Sequence, residues 1–383
     1  MENHQYLLSI DNGTQSVRAM IFNSQGQLLA KSKIDIEPYF SSQNGWAEQH
    51  ADYFWEKLCL ACQTLWRENS IDKQAIAAVS VTTQRATVVT MGKNHQPLRP
   101  AISWLDQRQV DSKPVLGVIE SALMSLVRAK PLVDLMHQQS EANWIEQNEP
   151  ELWKQVSKFL LLSGYHNYKL TGEYKDSIAS TVGFVPFDYK TQQWAEKNDW
   201  KWRAMPITRG MLPEVLPAGS KLGKITATAA IETGIPEGLT LIASGSDKAC
   251  EVLGTGCTDA HTGSLSYGSL ATINIASDKY LEAIPFYPAY PGVVPGTFNV
   301  EMMVQRGYWM VSWFKQEFGL HETQQGSQQK VSPELLFDQL LAEVPAGSDG
   351  LMLQPYWSPS NGDGPETRGA IIGFTESHTR AHL

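Results

Sequence analysis

Apolar positions open the chain as a strand, Tyr6-Leu7-Leu8-Ser9-Ile10, that runs directly into Asp11 and a polar turn, Asn12-Gly13-Thr14-Gln15-Ser16. A second strand, 17–23, leaves that turn, and Ser24-Gln25-Gly26-Gln27 folds the chain back again. Phe54, Leu58, Ala61, Cys62 and Leu65 then recur at helical spacing and predict a helix over 52–67 with one apolar face. Strands are expected at 75–82 and 88–91. A mainly helical stretch follows over 110–163 and continues to Leu170, with Thr171-Gly172-Glu173 as its stop. Tryptophans, prolines and Gly210 mark irregular structure over 194–219, and 218–230 reads as short edge strands.

The opening motif has an echo. At 238–248 an apolar strand again runs into small residues carrying one aspartate, Ser244-Gly245-Ser246-Asp247-Lys248. Residues 264–273 then read as strand, Tyr267-Gly268-Ser269 turn, strand. Two such turns, one in each half, suggest a duplicated scaffold that holds a nucleotide between two domains. Beyond them 285–295 is a proline- and aromatic-rich loop, 305–318 a helix crowded with bulky side chains, and the Gln-rich 322–330 a surface linker.

The chemistry of the first turn fits a bound phosphate. Gly13 lets backbone N–H groups approach an anion, Thr14, Gln15 and Ser16 offer donors, and Arg18 supplies positive charge. Asp11, at the end of a buried strand, suits Mg²⁺ held through its water shell. No GxxxxGK[ST] occurs, and a hairpin rather than a helix follows the glycine. On the turn alone, a tight hairpin and a phosphate cradle stay equally open. Cys59 and Cys62 form a Cys-x-x-Cys, but they lie on or beside the apolar helix face without a second ligand pair, which favours core packing over metal or redox chemistry.

Composition narrows the partners. The 383 residues are 42% hydrophobic, enough for two domains with cores of their own. A formal net charge of −9 disfavours nucleic acid or an anionic membrane as partner. The polar amino terminus lacks a signal-peptide layout, apolar runs such as Phe159-Leu160-Leu161-Leu162 are too short to span a bilayer, and four cysteines make no disulfide framework. A cytoplasmic location is expected.

The ordered set of motifs resembles the FGGY carbohydrate kinases, the group that includes glycerol kinases and xylulokinases. It runs through Asp11-Asn12-Gly13-Thr14-Gln15-Ser16, Gly45-Trp46-Ala47-Glu48-Gln49, Thr83-Gln84-Arg85, Trp104-Leu105-Asp106-Gln107-Arg108 and Leu170-Thr171-Gly172-Glu173. It continues through Gly245-Ser246-Asp247, Tyr267-Gly268-Ser269, Pro355-Tyr356-Trp357 and Arg368-Gly369-Ala370. The resemblance implies an α/β, actin-like ATPase (ribonuclease H-like) fold of two domains, 1–238 and 239–383, flanking a cleft. It implies ATP-dependent phosphorylation of a sugar or polyol, with ATP and Mg²⁺ as cofactors and a small-molecule substrate.

Residue by residue, the resemblance makes Asp247 the catalytic base and Asp11 the Mg²⁺-associated carboxylate. Thr14, Gln15, Ser16 and Arg18 become the first phosphate loop, and Gly268 with Ser269 the second. Arg85 and Trp104 fall at the sugar site beside Asp247. Ala86 stands where glycerol kinases carry Glu, and Lys248 where they carry an amide, which leaves the substrate open. The family's remaining helices and adenosine-binding segment have no counterpart before Leu383. A second domain incomplete in this way is expected to expose apolar surface unless another chain covers it, so a homo-oligomer stays open. The alternative is a non-catalytic sugar-binding remnant without an adenine site.

Overall fold

Strand alternation sets the geometry of the first turn in the computed structural model, which describes residues 5–111, 114–126, 130–267, 271–285, 287–304, 307, 309–354 and 368–383. In strand β1 (Tyr6–Asn12), Leu8, Ile10 and Asn12 are buried on one face, which turns Asp11 to the other. Strand β2 (Ser16–Asn23) runs antiparallel to it with Val17, Ala19 and Ile21 buried, and strand β3 (Leu28–Asp35) follows antiparallel. The sheet has six strands in the order 221–224, 240–242, 76–83, β1, β2, β3, with Ile76–Thr83 parallel to β1. Helix α1 (Ala51–Glu68) lays Phe54, Trp55, Leu58, Ala61, Cys62 and Leu65 into the sheet's core. The Ser32 hydroxyl of β3 donates to the Ala61 carbonyl at 2.7 Å and ties helix to sheet. Burial pushes the Cys59 thiol up to about 12 and raises Cys62 further, so both behave as core side chains.

A second core stands on a four-stranded antiparallel sheet of Glu48–Gln49, Ala101–Ile102, Val88–Met91 and Lys158–Leu161. Residues 158–161, expected as helix, are therefore strand: Phe159 and Leu161 pair with Thr90 and Val88, and the helix begins only at Leu162–Thr171. That helix stops as expected at Gly172, whose φ of 76° suits glycine. In 218–230 only Lys221–Lys224 is a strand, at the sheet's edge, and Ala227–Thr233 is a helix capped by the Thr226 hydroxyl.

The chain divides into two compact units, 1–262 with 275–300, and 263–274 with 301–383. This departs from the expected boundary at 238/239, because Thr240–Ile242 pairs in parallel with Ile76–Thr83 inside the first unit's sheet. The second unit carries helices Trp309–Phe318, Leu320–Gln329 and Pro333–Leu341 and a hairpin of Met352–Gln354 with Ala370–Ile372. The Gln-rich stretch expected as a linker is helix 320–329. Its Glu322 is buried and accepts two hydrogen bonds from the Arg380 guanidinium, at 2.7 and 2.5 Å. Among the described residues no helix is long and apolar enough to cross a membrane.

Candidate active site

Register places the first charged pair. Asp11 and Arg18 are direct partners across β1 and β2, and the Arg18 guanidinium donates to the Asp11 carboxylate at 2.7 Å. The turn between them closes through Gly13 N–H donating to the Ser16 carbonyl at 3.1 Å. Gly13 does not have the left-handed φ of a turn glycine, and a Cβ there would meet the Ser16 carbonyl and Asp11 Oδ1 only at 3.6 and 3.9 Å. The turn therefore does not demand glycine for its own shape. Gln15 is exposed, whereas Ser16 is buried at the start of β2. Behind the turn, buried His166 Nε2–H donates to Asn12 Oδ1 at 2.8 Å, and burial lowers that imidazole to about 3, so it stays neutral.

Asp11 also pairs in register with Thr82 on the neighbouring parallel strand. The Thr82 hydroxyl crosses to the Gly245 carbonyl at 2.7 Å, and Ser244 Oγ donates to the Val81 carbonyl. Ser177 Oγ donates to the Ser244 carbonyl at 2.5 Å, and Ser246 N–H to the Ala179 carbonyl at 3.0 Å. Segment 244–246 is thus tied on both sides, and it delivers Asp247 as the first residue of helix Asp247–Gly254. Ser246 caps that helix by accepting from Ala249 N–H.

Partial burial pushes the Asp247 carboxyl up. The Arg85 guanidinium, the Lys248 N–H that donates to it at 2.7 Å and the Lys248 ammonium oppose that shift, while the Asp11 carboxylate adds to it. Arg85 stacks its guanidinium over the Tyr290 ring at 5.3 Å, and Tyr290 meets Tyr189 edge-on at 5.5 Å. Lys248 pairs with Glu251 at 2.6 Å on its own helix. Trp104 turns its indole N–H to Thr14 Oγ1 and Gln84 Oε1, each at 3.1 Å.

Thus Asp11, Thr14, Arg18, Arg85, Trp104 and Asp247 all belong to the first unit, linked by this chain of contacts. Gly268 and Ser269 lie outside the described residues. The motifs assign no site role to Gln84 or Tyr290, which the structure brings against Trp104 and Arg85. Gln84 had a signal in its place between Thr83 and Arg85, whereas Tyr290 had none beyond its aromatic loop. Other motif pieces serve the frame. Arg108 stacks between Trp46 and Trp144 at 4.1 and 4.4 Å and pairs with Asp106 and Glu48 at 2.7 and 3.0 Å, which fixes the loop carrying Trp104.

The FGGY family of carbohydrate kinases, N-terminal domain, matches residues 6–254. The sugar kinase YgcE of Escherichia coli K12 is 28% identical over 97% of this chain and 68% of its own length. A xylulose kinase of Lactococcus lactis is 26% identical over 99% and 73%, and a glycerol kinase of Ectopseudomonas mendocina 25% identical over 97% and 74%. Among solved structures, ligand-bound xylulose kinase from Lactobacillus acidophilus superposes with a TM-score of 0.79 at 18% identity, covering 98% of this chain and 74% of that one. Plasmodium falciparum glycerol kinase with ADP gives 0.74 at 18% identity, covering 98% and 74%. The fold is the actin-like ATPase fold of these kinases, and the chain belongs to the FGGY family of carbohydrate kinases.

Proposed function

We propose that the chain transfers the γ-phosphoryl group of ATP to a hydroxyl of a small sugar or polyol, with Asp247 as general base. The observation that carries this is the Asp247 carboxyl itself: raised by burial, held by a helix N-terminus and faced by Arg85. A carboxylate of raised proton affinity suits removal of a hydroxyl proton as the bond to phosphorus forms. In the transfer, the substrate O–H proton passes to Asp247 and the oxygen bonds to the γ-phosphorus. The bond from that phosphorus to the β–γ bridging oxygen breaks, and ADP leaves with the electron pair. Arg85 and Trp104 orient the substrate. Thr14, Gln15, Ser16 and Arg18 take the phosphates, a role also proposed for Gly268 and Ser269, which lie outside the described residues.

Asp11 is a single hard carboxylate with one side engaged by Arg18, a donor set that fits a hydrated Mg²⁺. When bound there, the ion supplies positive charge to the phosphate oxygens. Beside Arg85, Ala86 adopts a left-handed φ of 51° and presents only a methyl group. A methyl group offers no acceptor to a substrate hydroxyl where glycerol kinases carry Glu, so glycerol is not singled out as the substrate. Phosphorylation of xylulose and glycerol, the activities named for relatives, belongs at the head of a panel extended to erythritol, other pentuloses and hexuloses.

The test is ADP release over that panel. Asp247→Asn should abolish release while sugar binding persists by calorimetry, and undiminished turnover would sink the assignment. In the same assay Asp11→Asn should raise the Mg²⁺ concentration needed for half-maximal rate; an unchanged titration removes Asp11 from the metal site.

A further inference from the structure

We propose that Gln84 is a positioning residue that couples the sugar side of the site to the phosphate side, on the premise that the chain is the kinase described above. Gln84 is 3% exposed and follows directly on strand Ile76–Thr83, with its N–H donating to the Asn12 carbonyl at 3.0 Å. Its side-chain carbonyl accepts from the Thr14 hydroxyl at 3.1 Å and from the Trp104 indole N–H at 3.1 Å. The indole N–H also reaches Thr14 Oγ1 at 3.1 Å, which closes a triangle.

An indole nitrogen only donates, so the amide atom facing it must be oxygen. The amide orientation is therefore fixed, and Nε2 lies elsewhere, buried, with no hydrogen-bond partner among the described residues. A buried donor without an acceptor destabilises a fold. Methionine, of similar length, lacks that buried donor, and the partly exposed Thr14 hydroxyl that loses its acceptor can turn to water, so the amide is not needed for stability. What the amide adds is one oxygen shared by two turns.

Thr14 gives its only hydroxyl proton to Gln84 and accepts from Trp104, so neither Thr14 nor the indole can shift without the other. A sugar packed on Trp104 thus fixes the Thr14 turn for phosphate, and phosphate at that turn fixes the indole for sugar. Such coupling is reciprocal.

The experiment uses the full chain with Gln84→Met and Gln84→Glu. Sugar affinity is measured with and without the non-hydrolysable analogue AMP-PNP, using the panel sugar of highest turnover, and Tm is recorded for each variant. In the wild type AMP-PNP should tighten sugar binding by about five-fold or more. Gln84→Met should bring that factor to about one and lower kcat/KM by about ten-fold or more, with Tm equal to or above the wild type. Gln84→Glu, which keeps an acceptor oxygen, should retain most of the coupling.

Coupling unchanged in the methionine variant, coupling absent from the wild type, or a fall in Tm that parallels the loss of activity would each overturn the proposal. Asp247→Asn keeps the triangle and should keep the coupling while losing turnover, so failure of the base assignment is read separately. A panel in which no sugar releases ADP overturns the kinase reading, and the coupling role with it.

Discussion

Burial and charge pull the Asp247 carboxyl in opposite directions, and the balance sets the pH at which it works as a base. Burial is the larger influence and raises it; Arg85 is the first group to oppose that shift. The acid limb of kcat/KM should therefore lie above the ordinary aspartate range near 3.9. Removing the guanidinium in Arg85→Met takes away a charge that favours the carboxylate, so the limb should move to still higher pH, whatever else happens to the rate. A pH–rate profile of both proteins checks this; a limb that stays put or moves down means Arg85 does not act on Asp247. The two residues stand far apart in sequence, and no spacing rule brings them together. Each could be named from its own motif, but their interaction depends on the sheet that aligns their strands.

At the scale of elements, the tight spot is Gly245. A Cβ there would stand 2.8 Å from Val293 Cγ2 and 3.2 Å from the Cβ atoms of Ala179 and Ala249, so three neighbours close on one glycine. Gly245→Ala should destabilise by roughly 1–3 kcal/mol through overpacking. Because Asp247 follows two residues later, kcat should fall by more than about ten-fold as the carboxylate is displaced. Thermal melts and steady-state kinetics on the same preparation test both halves; unchanged kcat would mean the helix start absorbs the shift. The opening hairpin and first helix are legible because period-two alternation, Gly-centred turns and helical spacing are local signals: β2 and α1 lie within a residue of expectation at each end, and β1 runs two residues past Ile10 to Asn12. Helix 320–329 was not, because its composition is polar and its anchor, Arg380 on Glu322, is supplied from far along the chain. Strand 158–161 failed for the related reason that a short apolar run reads equally as buried helix or buried strand until its partner, Val88–Met91, is known.

Across the molecule, two buried titrating groups of the first unit oppose one another in the pH dependence of stability. His166 is held near 3 by burial, below its ordinary 6.5, so its contribution is complete above pH 6.5 and is lost as pH falls toward 3. Asp176 behaves in the opposite sense. Burial raises it from 3.8 to about 7 despite hydrogen bonds from Ser163, Asn167 and the Ser177 N–H, so its contribution is complete below about 4 and is lost as pH rises through 7. Between about pH 4 and 6.5 the folded state lacks a proton on His166 and holds an extra one on Asp176, and the two slopes cancel, each being about 1.4 kcal/mol per pH unit at full strength. Asp176→Asn isolates one of them. Asparagine keeps an acceptor for Asn167 and Ser177 N–H, and the Ser163 hydroxyl can rotate to accept from the new amide. Denaturant unfolding of wild type and variant at half-unit steps from pH 4 to 7.5 should show the variant gaining on the wild type as pH rises, at up to about 1.4 kcal/mol per unit, and levelling above 7. Parallel profiles would mean that Asp176 is ionised in the fold throughout, and that its three hydrogen bonds outweigh its burial.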